Sequence, residues 1–212
     1  MSDCEIVLHG ESRSFPVRDG ALAESRAGAP VLLHLGQVGE VAPEPRRAAV
    51  LIELDTECLS VHLGDYPGAE RANTLGFARY RNGNDAPTNL VELVRPDGAE
   101  PEALAAARAF FESIGCQVAV CADRPGRIVD RLVRPKYNDA LRFLDDGLAT
   151  ATAMDMTCRM GLGYPDGLIE RTERGGLARH HEICAALQEL TGNPAYAPAR
   201  RAVVAMQRKA RR

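Results

Sequence analysis

Two side chains in the sequence stand at a spacing that suits metal chemistry. His180 and Cys184 are four residues apart, so they share one face of a predicted helix. Imidazole and thiolate are both good zinc ligands, but a zinc site needs further ligands, and the sequence supplies no third one beside this pair. We therefore favour a structural role for the two residues and predict no metal site.

A second kind of chemistry, the binding of nucleotide phosphates, needs a glycine-rich turn between a strand and a helix. The first predicted strand runs into HGESRS at residues 9–14, which lacks the GxGxxG pattern. The glycine-rich string at 161–167 joins two predicted helices and contains Tyr164 and Pro165, so it is predicted to be a turn. The sequence therefore predicts no cofactor-binding residue.

The composition excludes several classes of protein. The chain has 212 residues, of which 45% are hydrophobic and 26% charged, enough to build a core. A formal net charge of -3 excludes a globally basic nucleic-acid binder, and the absence of tryptophan disfavours a base-stacking surface. No apolar run reaches the length of a membrane span, and the start MSDCE has no features of a signal peptide. Six cysteines without a CxxC motif are typical of free thiols, so we expect a cytoplasmic protein.

The first half of the chain has the pattern of an α/β domain. Short β-branched runs bounded by Gly, Pro and Asp predict strands at 5–8, 31–35, 49–52, 59–62, 75–78, 90–94 and 117–120. Pro101 at a first helical position and Gly115 after the last apolar residue predict a helix over 101–114. This helix and its two flanking strands make a βαβ unit, whose strands are expected to be parallel.

The second half has the pattern of an all-α domain. An apolar stripe that starts at Ile128 predicts a long helix through about residue 146. Thr152 and Asp155 resemble a capping box that opens a short helix closed by Gly161. Further helices are predicted at about 167–174, 177–190 and 202–206. We therefore predict a truncated Rossmann-like α/β domain over 1–122, followed by a helical domain over 123–212.

Four motifs in the second half carry a family resemblance. In chain order they are DRPGRIVDRL at 123–132, YNDALR at 137–142, MGLGYPDG at 160–167 and NPAYAP at 193–198. With this order and spacing, residues 123–210 resemble the C-terminal helical domain of the 3-hydroxyacyl-CoA dehydrogenase family. Upstream, the stretches at 75–77 and 90–94 resemble the last strands of the family's nucleotide-binding domain, and 56–60 resembles its serine-containing loop. Residues 1–48 match no part of the family.

The resemblance implies a Rossmann-type sheet and a helical domain that forms the dimer interface, with acyl-CoA bound between the two. In the family, a histidine oriented by a glutamate takes the hydroxyl proton while hydride leaves for NAD, and a serine and an asparagine contact the substrate oxygen. The matching positions here are Ala78 for the histidine, Glu92 for the glutamate, Glu57 for the serine and Asp130 for the asparagine. Glu92 and Asp130 are thus the candidate site residues. Loss of a positioned general base costs about 10²–10⁴ in rate.

Other residues offer weaker alternatives. His62 is a possible replacement base, although it is predicted to lie on a different strand from Ala78. Carboxylates at Glu57 and Asp130 would disfavour an anionic cofactor. The arginines at 124, 127, 131 and 134 suit the phosphates of coenzyme A, but we favour a solvated helix face. The basic tail at 208–212 could contact RNA or a membrane, but cations are also expected at a helix C-terminus.

The sequence thus predicts a family member whose front half is either degenerate or part of a longer chain. The first hypothesis is a non-catalytic protein that binds an acyl-CoA, or forms a homodimer or hetero-oligomer with a dehydrogenase through its helical domain. It expects no NAD cofactor and no nucleic-acid or membrane partner. The second hypothesis is an active enzyme that uses NAD to oxidise L-3-hydroxyacyl-CoA to 3-ketoacyl-CoA in fatty-acid or aromatic-acid degradation. The third is a scaffold module that binds neither ligand.

Overall fold

The computed structural model describes residues 4–17, 22–64 and 68–211, and the chain divides into two compact units. The first unit comprises Met1–Arg81 and Pro87–Arg127, and the second comprises Asn82–Ala86 and Ile128–Arg212. The first contains the sheet and the second the helices, which confirms the predicted α/β part followed by an all-α part. Residues 1–3 of the start MSDCE and Arg212 of the basic tail lie outside the described residues.

The sheet of the first unit consists of six strands that neighbour one another in chain order. They are β1 (Cys4–His9), β2 (Val31–Gly36), β3 (Ala49–Glu53), β4 (Thr74–Arg79), β5 (Leu90–Arg95) and β6 (Gln117–Ala122). Strands β1 to β4 are parallel, β5 is antiparallel to β4, and β6 is parallel to β5. The helix α1 (Pro101–Ser113) joins β5 to β6, which confirms the predicted βαβ unit with parallel strands.

Only α1 is an α-helix among the described residues of the first unit. Parallel neighbours are usually joined by a crossover helix. Here, residues 37–48 between β2 and β3 contain no helix, and the described residues between β3 and β4 contain only short 3-10 helices. The sheet is therefore Rossmann-like, but the described residues between β1 and β4 contain no α-helix.

Both faces of the sheet are buried, which accounts for the continuous apolar runs in its strands. On one face, Phe111 of α1 belongs to a cluster with strand residues that include Leu33, Leu51, Phe77 and Leu93. On the opposite face, the apolar strand residues pack against Val41 of a loop and Leu59 of a short 3-10 helix. Segments without an α-helix thus cover this face of the sheet, which a second layer of helices covers in a doubly wound sheet.

The strand predicted at 59–62 is wrong, because Leu59–His62 forms a 3-10 helix. The carboxylate of Asp123 accepts hydrogen bonds from the amides of Leu59 at 2.7 Å and Ser60 at 3.2 Å. These bonds satisfy the amides that a helix leaves unpaired at its N-terminus. Because Asp123 comes much later in the chain, local apolar patterning gave no sign of this cap.

The second unit is built from five α-helices. They are α2 (Val129–Asp145), α3 (Ala151–Leu162), α4 (Leu168–Gly175), α5 (Leu177–Thr191) and α6 (Arg200–Lys209). These confirm the predicted helices, and the turn predicted at 161–167 between α3 and α4 covers residues 163–167, because α3 extends to Leu162. Among the described residues, no helix has the length and apolar character required to cross a membrane.

The predicted capping box at Thr152 and Asp155 is wrong in its residues. The cap of α3 is Thr150, whose Oγ1 accepts from the Ala153 amide at 3.2 Å, and the helix continues past Gly161 to end at Gly163 in the left-handed region. The Asp155 carboxylate instead accepts from the amides of Ile169 at 2.9 Å and Glu170 at 3.1 Å. Asp155 therefore caps the neighbouring helix α4 rather than its own.

Candidate functional site

Ala78 and Glu92, which match the family's histidine and glutamate, lie side by side in the sheet. Ala78 on β4 is the direct cross-strand partner of Glu92 on the antiparallel β5. Side chains that are directly opposite lie about 4.5–5.5 Å apart at Cβ, so a larger side chain at position 78 would contact Glu92. Both residues are buried, and the methyl group of Ala78 has no atom that can accept a proton. The geometry of a base and its orienting carboxylate is present, but the base itself is not.

Glu92 faces a buried cation. The Nε atom of Arg127 lies 3.8 Å from Glu92 Oε2, and both side chains are at most 5% exposed. The guanidinium of Arg127 also donates to the carbonyl oxygen of Asp55, and its backbone φ of 48° lies in the left-handed region. A non-glycine residue is held there only when its surroundings demand it. Arg127 is therefore fixed beside Glu92 by its own backbone turn.

Glu57 and His62 form an ion pair in the first unit. His62 Nε2 lies 3.2 Å from Glu57 Oε1, and His62 Nδ1 lies 3.1 Å from the carbonyl oxygen of Gly39. The hydrogen bond with Glu57 raises the pKa of His62 against the opposing effect of burial. Burial acts to raise the pKa of Glu57, but the bonds from His62 and the Asp55 amide outweigh it and lower this pKa to about 2. Because both ring nitrogens face acceptors, His62 is placed to donate protons and does not fit the role of a replacement base.

Asp130 is engaged in a network of the second unit. Its carboxylate accepts from Arg134 Nε at 2.8 Å, and Arg134 Nη1 lies 3.3 Å from His180 Nδ1. Arginine can only donate, so His180 Nδ1 accepts and its proton is on Nε2, 3.0 Å from Asn138 Oδ1. Burial, together with the charge of Arg134, lowers the pKa of His180 to about 3. The histidine is therefore neutral at physiological pH, and Asp130 is committed to orienting Arg134.

Asn138 completes this network and was not singled out in the sequence. Its Oδ1 also accepts from the Ala199 amide at 3.0 Å, and its Nδ2 donates to the Ala195 carbonyl at 3.2 Å. The residue is fully buried. An asparagine within the apolar stripe of α2 is a signal that could have pointed to it, because a buried amide must have partners.

The side chains of His180 and Cys184 are both buried in the helical unit. The Cys184 Sγ lies 3.6 Å from the His180 ring nitrogens, and burial raises the pKa of this thiol to about 12. Burial, with a contribution from Glu92, likewise raises the pKa of Cys121 to about 11. Such thiols stay protonated and are poor nucleophiles. In the part of the chain that the structure describes, no three His, Cys, Asp or Glu side chains are grouped to hold a metal ion.

The four arginines do not share the solvated helix face that we predicted for them. Arg127 and Arg134 are buried against Glu92 and Asp130, so their charges are already engaged. Arg124 is the exposed one, and its Nη1 donates to the carbonyl oxygen of Asp123. In the basic tail, Lys209 Nζ donates to Glu182 at 2.8 Å.

A groove with positive charge at its edges lies in the second unit, along α6. It has a volume of about 280 Å³, and its apolar lining comes from Leu177, Val204 and Ala205. The remaining lining residues are Arg200, Arg201 and Arg208. Arg201 donates to Asp145 at 2.6 Å, whereas Arg200 lies 4.0 Å from it and is 78% exposed. This surface suits an anion that also carries an apolar part.

The carboxyl edge of the parallel strands, where α/β proteins bind ligands, is occupied by the chain itself. Residues 12–15, which we call the crossing segment, follow β1 and run past the last residues of β3 and β4. The amide of Ser14 donates to Glu53 Oε1 at 2.6 Å, and Arg79 Nη1 donates to the Ser14 carbonyl at 3.0 Å. Phe15 of the segment packs on Phe77, with 6.0 Å between ring centroids. Glu53 was missed in the sequence because it follows a run of apolar residues.

Comparison with known proteins agrees with this architecture. Residues 126–212 match the family model for the C-terminal domain of 3-hydroxyacyl-CoA dehydrogenase. A 3-hydroxybutyryl-CoA dehydrogenase of Bradyrhizobium diazoefficiens is 32% identical over 109 residues, which cover 51% of this chain and 37% of that protein. A 3-hydroxyadipyl-CoA dehydrogenase of Escherichia coli is 31% identical over 140 residues, covering 65% of this chain and 28% of that protein. The chain thus spans well under half the length of these curated relatives.

Solved structures show the same fold. FadB2 of Mycobacterium tuberculosis aligns with a TM-score of 0.73 at 22% identity, over 86% of this chain and 67% of that chain. The (S)-3-hydroxybutyryl-CoA dehydrogenase PaaH1 from Ralstonia eutropha aligns with a TM-score of 0.68 at 17% identity, over 85% of this chain and 66% of that chain. The fold is therefore that of a Rossmann-like sheet followed by a dehydrogenase-type helical domain. In sequence, residues 126–212 match the C-terminal domain of the 3-hydroxyacyl-CoA dehydrogenase family.

The cofactor that this family resemblance implies is NAD, and the described residues at the carboxyl edge do not fit it. A dinucleotide needs a helix N-terminus after the first strand to receive its pyrophosphate, and residues 10–17 after β1 contain no helix. It also binds where the strand order reverses, and the order of these six strands does not reverse. No reaction step through NAD follows from this geometry.

Proposed function

We propose that this chain is a non-catalytic member of its family that acts by association through its helical unit. The observation that carries this proposal is the occupied carboxyl edge of the sheet, where the crossing segment and Glu53 lie in the place of a dinucleotide. Ala78 in the position of the general base supports it as well, since a methyl group cannot take the hydroxyl proton. The candidate residues Glu92 and Asp130 keep positioning roles in this proposal, because each holds a buried arginine.

The association surface is the exposed apolar side of α3. Met156 and Met160, four residues apart on one face of α3, are 58% and 84% exposed. Large apolar side chains grouped in this way mark interaction sites, and methionine adapts well to a partner surface. The partner is a second copy of this chain or the helical domain of a dehydrogenase, since the resemblance implies dimerisation through that domain.

Binding of an acyl-CoA is the second candidate function, and the groove along α6 favours it. The arginines at its edge match the phosphates of coenzyme A, and its apolar lining matches the uncharged parts of the same molecule. The relatives are named as dehydrogenases of 3-hydroxybutyryl-CoA and 3-hydroxyadipyl-CoA, so CoA esters are the class of ligand to test. Acetoacetyl-CoA is a suitable probe.

The deciding experiment titrates the purified chain calorimetrically with NADH and, separately, with acetoacetyl-CoA. We expect no heat of binding from NADH, and micromolar NADH binding would contradict the non-catalytic proposal in favour of the active enzyme. Binding of acetoacetyl-CoA alone supports the second candidate function. If neither ligand gives a heat of binding, association is the sole function, which is the scaffold hypothesis.

Association is tested by sedimentation of the unmodified chain and of a Met156→Lys, Met160→Lys double variant. We expect the unmodified chain to form dimers and the double variant to be monomeric at the same concentration, because two cations would be buried in the interface. Val61→Lys, a change of an equally exposed apolar residue in the first unit, is the matched control. Equal sedimentation of the three proteins would rule out this surface.

A further inference from the structure

Glu53, the last residue of β3, is a buried carboxylate whose two oxygens bind two backbone amides. Oε1 accepts from the amide of Ser14 at 2.6 Å, and Oε2 accepts from the amide of Gly36 at 2.7 Å. The side chain is only 5% exposed. A carboxylate that receives one N–H donor on each oxygen is bound in the way that proteins bind free anions.

The position of this carboxylate is that of a ligand rather than that of a core residue. Gly36 ends β2 and Glu53 ends β3, so both stand at the carboxyl edge where α/β proteins receive anionic groups. The Gly36 backbone has a φ of 97°, and a Cβ there would come within 2.9 Å of the Gly10 backbone. Glycine is therefore required for the Gly36 amide to face Glu53 at this point.

Contacts that do not involve Glu53 hold the Ser14 amide in place. The Arg79 amide donates to Ser14 Oγ at 3.2 Å, and the Arg79 guanidinium donates to the Ser14 carbonyl and stacks 4.9 Å over the Phe15 ring. The Ser12 hydroxyl accepts from the Phe15 amide at 2.9 Å. The Ser14 amide is thus held by Arg79 and by the crossing segment, and the Gly36 amide by the end of β2, so we expect both donors to stay in place when the carboxylate is removed.

We propose that the amides of Ser14 and Gly36 form an anion-binding position whose resident occupant is the chain's own Glu53. When the side chain is shortened, this position takes a small carboxylate anion such as formate from solution. The inference deepens the proposed function and rests on it, because a position held by an internal carboxylate is closed to the phosphates of a nucleotide. It is tested on a variant, whereas the proposed function is tested by NADH titration of the unmodified chain, so the two can fail separately.

The experiment compares the thermal unfolding of Glu53→Ala in sodium formate and in sodium chloride at equal ionic strength. We expect formate to raise the Tm of Glu53→Ala saturably and above chloride, and to act on the unmodified chain no more than chloride does. Glu53→Gln is the matched control, because its amide fills the space and shuts formate out. In ¹⁵N–¹H spectra, the Ser14 and Gly36 amides of Glu53→Ala should move toward their unmodified shifts as formate is added.

Equal effects of formate and chloride on Glu53→Ala would overturn the proposal, as would an equal formate effect on Glu53→Gln. If Glu53→Ala does not fold at room temperature, its refolding yield in formate against chloride makes the same comparison. A higher yield in formate supports the anion-binding position, and equal yields overturn it.

Discussion

The ion pair of Glu57 and His62 shows how single residues acquire new roles in this chain. The sequence suggested Glu57 at the family's serine position and His62 as a possible base, yet His62 bonds through one ring nitrogen to Glu57 and through the other to the Gly39 carbonyl. Each shift in pKa is a statement about stability. Because the pKa of Glu57 is lowered, this residue contributes stability above pH 4.5, and the contribution is lost as the pH falls toward 2. Because the pKa of His62 is raised, this residue contributes stability below pH 6.5, and the contribution is lost as the pH rises.

The first prediction follows from that pair. In a histidine titration by NMR, His62 should titrate above the ordinary value of 6.5. In Glu57→Gln, the pKa of His62 should fall, because the ion pair that raises it is gone while burial still lowers it. The free energy of unfolding lost by this variant should be largest between about pH 4.5 and 6.5. An unchanged His62 titration in Glu57→Gln would show that the pair does not form in solution.

At the scale of elements, one buried side chain joins separate parts of the helical unit. Asn138 on α2 binds His180 on α5, the backbone of Ala195 within the 3-10 helix Pro194–Tyr196, and the backbone of Ala199 just before α6. Each of these groups is buried or half-buried, and a buried polar group that loses its partner costs about 1–3 kcal/mol. The network therefore specifies how these elements pack as well as stabilising them.

The second prediction concerns this network. Asn138→Ala should lower the free energy of unfolding by about 2–4 kcal/mol, because it leaves the His180 Nε2 proton and the Ala199 amide without an acceptor. Asp139→Ala, at the exposed next position of α2, is the control and should cost about 0.5 kcal/mol or less. Urea unfolding of both variants measures the difference. Similar costs for the two changes would mean that the network adds no stability.

The third prediction concerns the start of α4. Asp155→Ala removes the carboxylate that accepts from the Ile169 and Glu170 amides, and it should cost about 1–2 kcal/mol, as does the loss of a helix cap. Asp155→Asn keeps one acceptor oxygen and should lose less. Thermal unfolding measures both. An equal loss from the two changes would contradict capping by an acceptor oxygen that asparagine retains.

At the scale of the whole molecule, two buried histidines make the fold sensitive to acid. Burial lowers the pKa of His180 to about 3 and that of His34, with help from His9, to about 4. In the unfolded chain both should titrate near 6.5. Below that pH the unfolded chain binds protons that the folded chain does not, so stability falls as pH decreases.

The fourth prediction concerns the resulting dependence of the free energy of unfolding on pH. The free energy of unfolding should decrease from pH 6.5 to pH 4.5, and His180 alone should contribute about 1.4 kcal/mol per pH unit. In His180→Gln the protein should be less stable at pH 7 but should show a shallower slope. Urea unfolding at a series of pH values measures this. A slope that stays the same in His180→Gln would contradict the assignment of a neutral, buried His180.

Much of the fold followed from the sequence, because it depends on local patterns. Continuous apolar runs identified β1 to β6, and Pro101 and Gly115 bracketed α1. The motifs from residue 123 onward identified the helical domain and its family. The site was predicted less well: Ala78 could be placed beside Glu92 only by matching the family, and the register of β4 and β5 makes them partners despite the long connection.

What the sequence alone determined is the class of each half and the family of the helical domain. Tertiary structure alone decided which groups meet across the chain. Asp123 caps the 3-10 helix at 59–62, where the sequence predicted a strand. Asp155 caps α4, and Glu53 accepts from the amides of Ser14 and Gly36. The physical reason is the same in each case. A carboxylate satisfies backbone amides that are distant in sequence, and neither periodicity nor propensity carries information about such a partner.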